Sequence, residues 1–435
     1  MISSLLPVQD SVNRARLGFR ADTRLPVDRH AFLDAAATAL LDRKEELARL
    51  LAEEVKKPIR EARVEVERAS ITLHWSAEEA LRLEGTIHAG GITSQRVAAR
   101  AYVTPIPLGV VAAITPFNFP FNIPVHKLGP ALAAGNAVVL KPSPKAERSA
   151  EKLVDLLHRA GVPDDLLVLV EGDVDVVEAL STAEVDAITF TGSTAAGHNI
   201  ARWGAGKKIL LELGGNDPVV VMEDADLDRA AATIVSHRFG YAGQRCTACK
   251  RVYVQEPVYE RLRGKVLEAV SRLVVGDPLD EKTDVGPVIN EAAAETLEAK
   301  LASAVASGAW VLCGGHRSGA FFEPTVVENV APGEALCREE TFGPILPLFR
   351  FQSFDEVVSL VNGTPYGLQA GIFTNRLDLV REAFRQFDVG TLAVNDGPAL
   401  RVEPIPFGGV KASGHGREGV RYAVRELMTL KTLLL

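Results

Sequence analysis

The segment Gly109-Val-Val-Ala-Ala-Ile-Thr-Pro-Phe-Asn-Phe-Pro120 holds an unbroken apolar run, Val110–Ile114, and then stops at Pro116. A run that is apolar at every position has no face for water, so it reads as a strand covered on both sides. Four more runs of strand length follow, at 137–140, 166–170, 187–191 and 209–213, with periodic or Ala-rich segments between them. Doubly covered strands separated by helices make a parallel sheet. Region 108–214 is therefore expected to be a nucleotide-binding α/β unit. Upstream, Leu33, Ala37, Leu40, Leu47, Leu51 and Val55 recur near helical spacing, which predicts a helix over 31–56 closed by Lys56-Lys57-Pro58. A polar helical stretch continues to about Leu83. Downstream of Gly214-Gly215 a second α/β series begins at 219–221, with a strand at 251–254, helices near 258–273 and 290–307, and apolar runs at 309–312 and 344–348. The alternation over Ile92–Pro107 predicts a β-hairpin. The tail Val420–Leu435 ends in three leucines, and an exposed apolar end is a liability, so it is expected to be paired.

The chain has 435 residues, enough for two or three domains. Hydrophobic residues at 47% and charged residues at 24% are ordinary for a globular protein and exclude a disordered chain. A net charge of −8 offers no cationic field to nucleic acid or anionic lipid. Four cysteines are too few for a disulfide framework, so reduced thiols are expected. Neither the short apolar start at Met1–Pro7 nor the Pro-interrupted stretch 106–117 fits a signal peptide or a membrane helix, which predicts a cytoplasmic protein.

Gly414-His-Gly416-Arg-Glu-Gly419 has the spacing of a dinucleotide fingerprint. It follows no clear strand, and too little chain remains for the rest of a βαβ unit. It is read as a glycine-rich turn. Cys246, in Gly243-Gln-Arg-Cys246, has Arg245 beside it, and a neighbouring cation favours thiolate. Cys246-Thr-Ala-Cys249 is also a Cys-x-x-Cys, but Cys313 and Cys337 stand singly and no His pair has zinc-finger spacing. Taken alone, this segment leaves a nucleophile, a buried structural thiol and a metal or redox pair all open.

Other segments bear on that choice. Asn118, Lys141, Ser193 and Glu212 each sit at or just beyond the C-terminal end of a predicted strand. That edge is where open α/β sheets bind ligands. Each residue has a plainer reading: a turn former, a solvated cation, a helix cap, and a carboxylate satisfied by backbone N–H groups.

Seven segments together resemble the aldehyde dehydrogenase superfamily, in family order over about residues 30–432. They are Thr115-Pro-Phe-Asn-Phe-Pro120, Gly135-Asn-Ala-Val-Val-Leu-Lys-Pro-Ser143, Phe190-Thr-Gly-Ser-Thr194, Leu211-Glu-Leu-Gly-Gly215, Gly243-Gln-Arg-Cys246, Glu340-Thr-Phe-Gly-Pro344 and Pro406-Phe-Gly-Gly409. The separation 246 − 212 = 34 fits as well. The resemblance implies a Rossmann-like cofactor domain (1–88 and 108–214), a second α/β catalytic domain (215–415), and a small β oligomerisation arm (89–107 with 420–435). It implies a homodimer or homotetramer that oxidises an aldehyde to a carboxylic acid with NAD or NADP and no metal. By the same resemblance Cys246 is the nucleophile, and Asn118 and the Cys246 N–H hold the oxyanion. Glu212 activates water, and Lys127 relays its proton. Thr115, Pro116, Lys141, Ser143, Gly192, Ser193, Glu340 and Phe342 line the cofactor.

Many members carry a longer N-terminal segment, so this chain is expected to keep the core motifs but to differ at that edge. NAD-preferring relatives often have a glutamate where this chain has Pro144. Its absence removes repulsion against a 2′-phosphate, and Lys141, Ser143 and Lys145 attract one, so NADP is expected to be accepted. Arg245 and the 408–419 tail resemble branches acting on small oxygenated or anionic aldehydes, among them lactaldehyde, glyceraldehyde 3-phosphate, succinic semialdehyde and phosphonoacetaldehyde. Arg245, Phe119 and Arg401 are the expected substrate residues, while His126 reads as a packing residue. Two other classes stay open: a CoA-acylating dehydrogenase and a non-catalytic scaffold of the same fold.

Overall fold

A computed structural model describes residues 7–91 and 99–435. In the first sheet the strands lie in the order Lys208–Glu212, Ala187–Thr191, Val110–Ile114, Ala137–Lys141 and Leu167–Leu169, all parallel. The central strand, Val110–Ile114, is buried at every position, as its unbroken apolar run requires. Each Val or Leu so buried contributes about 1.5–3 kcal/mol. From this strand the chain first builds outward to 137–141 and 167–169, then crosses to the other side for 187–191. The reversal opens a crevice between the C-terminal ends of 110–114 and 187–191, a topological switch point.

Helices cover this sheet. The expected helix over 31–56 is in fact two, Pro26–Asp42 and Lys44–Val55, broken at Arg43. Lys56 ends the second in a left-handed conformation, φ 62°. The polar stretch is the 22-residue helix Ile59–Ala80, packed between Pro26–Asp42 and the wholly buried helix Asn122–Ala133. One hydrophobic core runs through these helices and the first sheet.

The second sheet has the order Trp310–Cys313, Thr325–Glu328, Ile345–Phe351, Arg251–Gln255, Pro218–Val221, Gln369–Phe373 and Thr391–Val394. All its pairings are parallel except the first. Separate cores lie on its two faces.

Strand Ala101–Pro107 pairs with Thr86–His88 and with the chain's own tail, Met428–Leu434, which gives the tail the pairing expected of it. Residues 92–98 of the expected 92–107 hairpin lie outside the described residues. Two expectations at the domain edges need correction. Residues 420–426 are a helix whose Val424 joins the first core, because its apolar face packs on Asn122–Ala133. Gly414–His415 is no part of the second unit. It pairs antiparallel with Glu212 and Leu211 at the edge of the first sheet. No helix among the described residues is long and apolar enough to cross a membrane.

To reach that edge the chain passes Gly408 against Gly390, so closely that a β-carbon on residue 390 would overlap the Gly408 carbonyl oxygen. Gly390→Ala is expected to destabilise the protein by about 1–3 kcal/mol through overpacking of two backbones. Chemical denaturation reads this directly, and an unchanged midpoint contradicts it.

Candidate active site

Asn118 lies in the turn after strand 110–114, and Cys246 in the loop before strand 251–255. The Asn118 amide donates from Nδ2 to the Gln244 carbonyl at 3.0 Å, which brings the two loops together. The cysteine loop is tightly wound. Tyr241, Ala242 and Gly243 are consecutive left-handed residues, at φ 50°, 51° and 71°. Such residues persist only where surroundings over-determine them. Here the Tyr241 N–H donates to Glu61 at 3.0 Å and its hydroxyl to the Val55 carbonyl at 2.6 Å. Gln244 accepts from the Ile289 N–H at 2.8 Å.

Behind Cys246 stands a cation that the sequence did not single out. Buried Lys250 donates to the Arg245 carbonyl at 3.0 Å and to the Cys246 carbonyl, and lies 3.4 Å from Glu340. The glycines of Leu211-Glu-Leu-Gly-Gly215 thread past this group. A β-carbon at 215 would come within 2.8 Å of the Cys246 carbonyl, and one at 214 would collide with the Glu340 carboxylate. Burial pushes the Cys246 thiol up to about 12, against the pull of Lys250. Burial likewise raises Asp217, next to Lys250, to about 7.

Glu212 ends its strand deep in the crevice, with Oε2 buried and without a hydrogen-bond partner. Burial, reinforced by Glu418, holds its carboxyl well above the usual range, while Lys127 and Arg401 oppose. Lys127 is not a solvated helix lysine. It is buried and donates to Glu418 at 2.8 Å and to Thr189 at 3.2 Å. Glu418 arrives on the 414–419 turn, where Gly416 and Gly419 have φ of 85° and 90°. That turn therefore carries a charge to the site rather than a pyrophosphate. Burial raises Glu418, but Lys127, Arg401 and His126 outweigh it and hold it down at about 2.

Arg401 does not meet the expectation of a free substrate anchor. Its guanidinium faces Glu418 at 3.0 Å and Glu403 at 3.6 Å and lies over the Phe407 ring, and its Nε, like that of Arg245, is buried without an acceptor. His126 is buried against Glu403 at 2.7 Å.

Of the expected cofactor residues, Thr115, Pro116, Lys141, Ser143, Gly192 and Ser193 lie along one edge of the first sheet, while Glu340 and Phe342 precede strand Ile345–Phe351 of the second. Ser193 caps helix Thr194–Trp203, accepting from the Ala196 N–H. Beside it Gly192 donates to the Glu212 carbonyl at 3.1 Å. The Thr115 N–H donates to the Lys141 carbonyl at 3.0 Å, which joins the loop Thr115-Pro116 to strand 137–141. Phe117 and Phe342 meet edge to face at 6.2 Å, and Ser143 accepts from the Lys145 N–H at 3.3 Å. The hydroxyls of Thr115 and Thr191 are buried and unpartnered. A helix N-terminus, two orphaned hydroxyls and glycines at a sheet switch point suit a dinucleotide. Burial lowers Lys141, while Asp173, Glu147 and Asp175 support its charge.

Beside Phe119 lies a cavity of about 310 Å³, whose lining includes Arg60, Glu61, Glu65, Arg68, Arg245 and Asp284. Arg245 pairs with Glu61, and its Nε is buried without an acceptor. Residue 240 being glycine leaves the room. A β-carbon there would come within 2.8 Å of the Arg245 guanidinium. Arg68 donates to Glu403 at 2.5 Å. Neither Arg60 nor Arg68 stood out in the sequence, because both look like solvated residues of a charged helix.

The sequence matches the model of the aldehyde dehydrogenase family over residues 7–433. It is 45% identical over 408 residues to the sulfoacetaldehyde dehydrogenase of Neptuniibacter caesariensis, covering 94% of this chain and 90% of that protein. It is 44% identical over 435 residues to the 3-sulfolactaldehyde dehydrogenase of Priestia aryabhattai, covering 98% and 91%. The fold superposes with a TM-score of 0.96 on the NADP-dependent glyceraldehyde-3-phosphate dehydrogenase of Bacillus halodurans C-125, complexed with NADP. The identity is 37%, covering 98% of this chain and 90% of that one.

A thiol raised to about 12 is mostly protonated at neutral pH, so the thiolate fraction grows about tenfold per pH unit below that value. Alkylation of Cys246 by iodoacetamide, followed by the mass of its peptide, is expected to climb without plateau from about pH 7 to about pH 10. Lys250→Met removes the opposing cation and should slow alkylation throughout that range. A plateau below about pH 9 in the unaltered protein contradicts this account.

Proposed function

The chain belongs to the aldehyde dehydrogenase family, and we propose that it oxidises a short anionic aldehyde to the acid with Cys246 as nucleophile. NAD or NADP is the cofactor. The Cys246 thiol first loses its proton to solvent, and the thiolate attacks the carbonyl carbon, forming a C–S bond and sending the carbonyl electron pair to oxygen. The Asn118 amide and the Cys246 N–H donate to that oxyanion, and losing one such donor typically costs about 10²–10³ in rate. When bound, the nicotinamide ring supplies the hydride acceptor. Loss of hydride restores the C=O bond and leaves a thioester on Cys246. Glu212 then takes a proton from water, the resulting hydroxide adds to the thioester, and the C–S bond breaks to release the acid and the free sulfur. A carboxyl held above its usual range is a stronger base near neutrality, which suits this step.

Lys127 reads best as an electrostatic partner of Glu212. Its ammonium is held between Glu418 and the Thr189 hydroxyl, close enough to favour the charged form of Glu212. Pro144 itself places no carboxylate against a 2′-phosphate, which supports acceptance of NADP alongside NAD, although Asp173, Glu147 and Asp175 lie near Lys141. A kcat/KM for NAD far above that for NADP overturns that point.

The observation that carries the substrate reading is Arg245, directly before the proposed nucleophile and lining a cavity in which Arg60, Arg68 and Arg245 stand among Glu61, Glu65 and Asp284. A guanidinium has five donors, and one carboxylate does not use them all. A sulfonate or carboxylate tail reaching from Cys246 into this cavity answers the rest. The named relatives, which act on sulfonated aldehydes, support that reading. The exposed tail leucines Leu430, Leu433 and Leu434 are best covered by another copy, as a homodimer or homotetramer.

Turnover of sulfoacetaldehyde, succinic semialdehyde and propanal, with either cofactor, tests the assignment. The anionic aldehydes are expected to dominate. Arg245→Met should raise their KM by about 10–100-fold, the worth of a charged hydrogen bond, and leave propanal nearly unchanged. Equal effects on charged and neutral aldehydes refute the anion site. Cys246→Ala should abolish turnover, and retained turnover refutes the nucleophile. Acyl-CoA appearing when CoA is added would instead support the acylating alternative.

A further inference from the structure

Lys57 is fully buried, and so is its ion-pair partner Glu65. Isolating such a pair from water costs several kcal/mol per ion, and well-packed apolar residues of the same size are often as stable. Stability is therefore a poor reason for it, and its surroundings suggest another. Lys57 follows the left-handed Lys56 and precedes Pro58, at the junction of helices Lys44–Val55 and Ile59–Ala80. Its ammonium donates to the Asn118 backbone carbonyl at 2.8 Å. It also lies 3.7 Å from the centre of the Phe119 ring and 4.5 Å from that of Tyr241. Glu65 holds the same turn from its far end, accepting from the N–H groups of Phe121 at 2.9 Å and Asn122 at 3.2 Å.

One ion pair thus grips both loops of the site. It fixes the turn 118–122, which presents the Asn118 amide. It also touches Tyr241, the first left-handed residue of the turn leading to Cys246. The Phe119 and Tyr241 rings meet edge to face at 6.3 Å around the ammonium.

We propose that Lys57, with Glu65, is a positioning residue for the oxyanion site, setting the Asn118 amide against the Cys246 loop so that both donors reach one carbonyl oxygen. Lys57 itself touches no reacting atom. Other charges facing it are Glu61 and Arg245. Burial draws the ammonium down to about 8, with Glu65 supporting its charge. The inference rests on the assignment of Asn118 and Cys246 above.

The test separates two reactions of one sulfur. Addition to an aldehyde builds an oxyanion and needs the Asn118 amide in place. Displacement of iodide from iodoacetamide builds no oxyanion and does not. In Lys57→Met, kcat/KM for the aldehyde is expected to fall by about 10²-fold, the usual consequence of misplacing a catalytic group by about 1 Å. Alkylation of Cys246 should stay within about threefold of the unaltered protein, since no donor to oxygen is involved. Lys57→Met leaves Glu65 buried without a counter-ion. The double variant Lys57→Met/Glu65→Gln removes that charge, keeps an acceptor for Phe121 and Asn122, and decides the matter if the single variant does not fold. Loss of both reactions in parallel overturns the proposal, as does undiminished turnover. The enzyme reading falls separately: it fails if Cys246→Ala still turns over. An inactive Cys246→Ala beside Lys57 variants with matched losses removes the positioning role alone.

Discussion

The Asn118 side chain reaches from a turn of the first sheet to the loop of Gln244 and Cys246, which leads into the second. Carbonyl chemistry needs the sulfur and the hydrogen-bond donors placed within a few tenths of an ångström of their working positions. Two separately folded sheets can deliver that only if their meeting surface is stiff. The stiffness here comes from short polar ties: Tyr241 to Glu61 and Val55, Lys250 to the Cys246 carbonyl, and Lys57 to the Asn118 carbonyl. Each fixes a site loop through a side chain, either to another part of the fold or, for Lys250, within the loop itself. The left-handed run at 241–243 is affordable because of them.

Charge placement follows the same logic. Glu212 and Glu418 are both buried and near each other, yet their environments push them in opposite directions. Lys127 and Arg401 contact Glu418 directly and keep it ionised. Glu212 has an oxygen with no partner and is left as the group able to exchange a proton. Separating two like groups in this way assigns their roles without any difference in residue type.

The first sheet was legible in the sequence because strands buried on both faces write themselves as unbroken apolar runs. Asn118, Lys141, Ser193 and Glu212 were legible as strand-end residues for the same reason. Other features leave no local trace. Lys57 looks like an ordinary cation at a helix end, and only its contact with Asn118, 61 residues away, shows otherwise. Glu418 sits in a turn whose glycines suggested a nucleotide fingerprint, and its partner Lys127 is 291 residues distant. The break at Arg43 carries neither Gly nor Pro, so periodicity ran straight through it. The strand 101–107 was read correctly as extended, but pairing partners 320 or more residues off cannot be seen in an alternation pattern.

The short strand Gly414–His415 changes how this molecule is able to breathe. The chain leaves the first sheet at Glu212, builds the whole second unit, and then comes back to zip onto that same strand, with the Leu213 N–H held by the Ser413 carbonyl at 2.9 Å. Both ends of the second lobe are thus stitched to one edge. A clam-like opening would have to unpeel that seam, and with it the strand end that carries Glu212. The two lobes are clasped at the very edge from which the chain first departed.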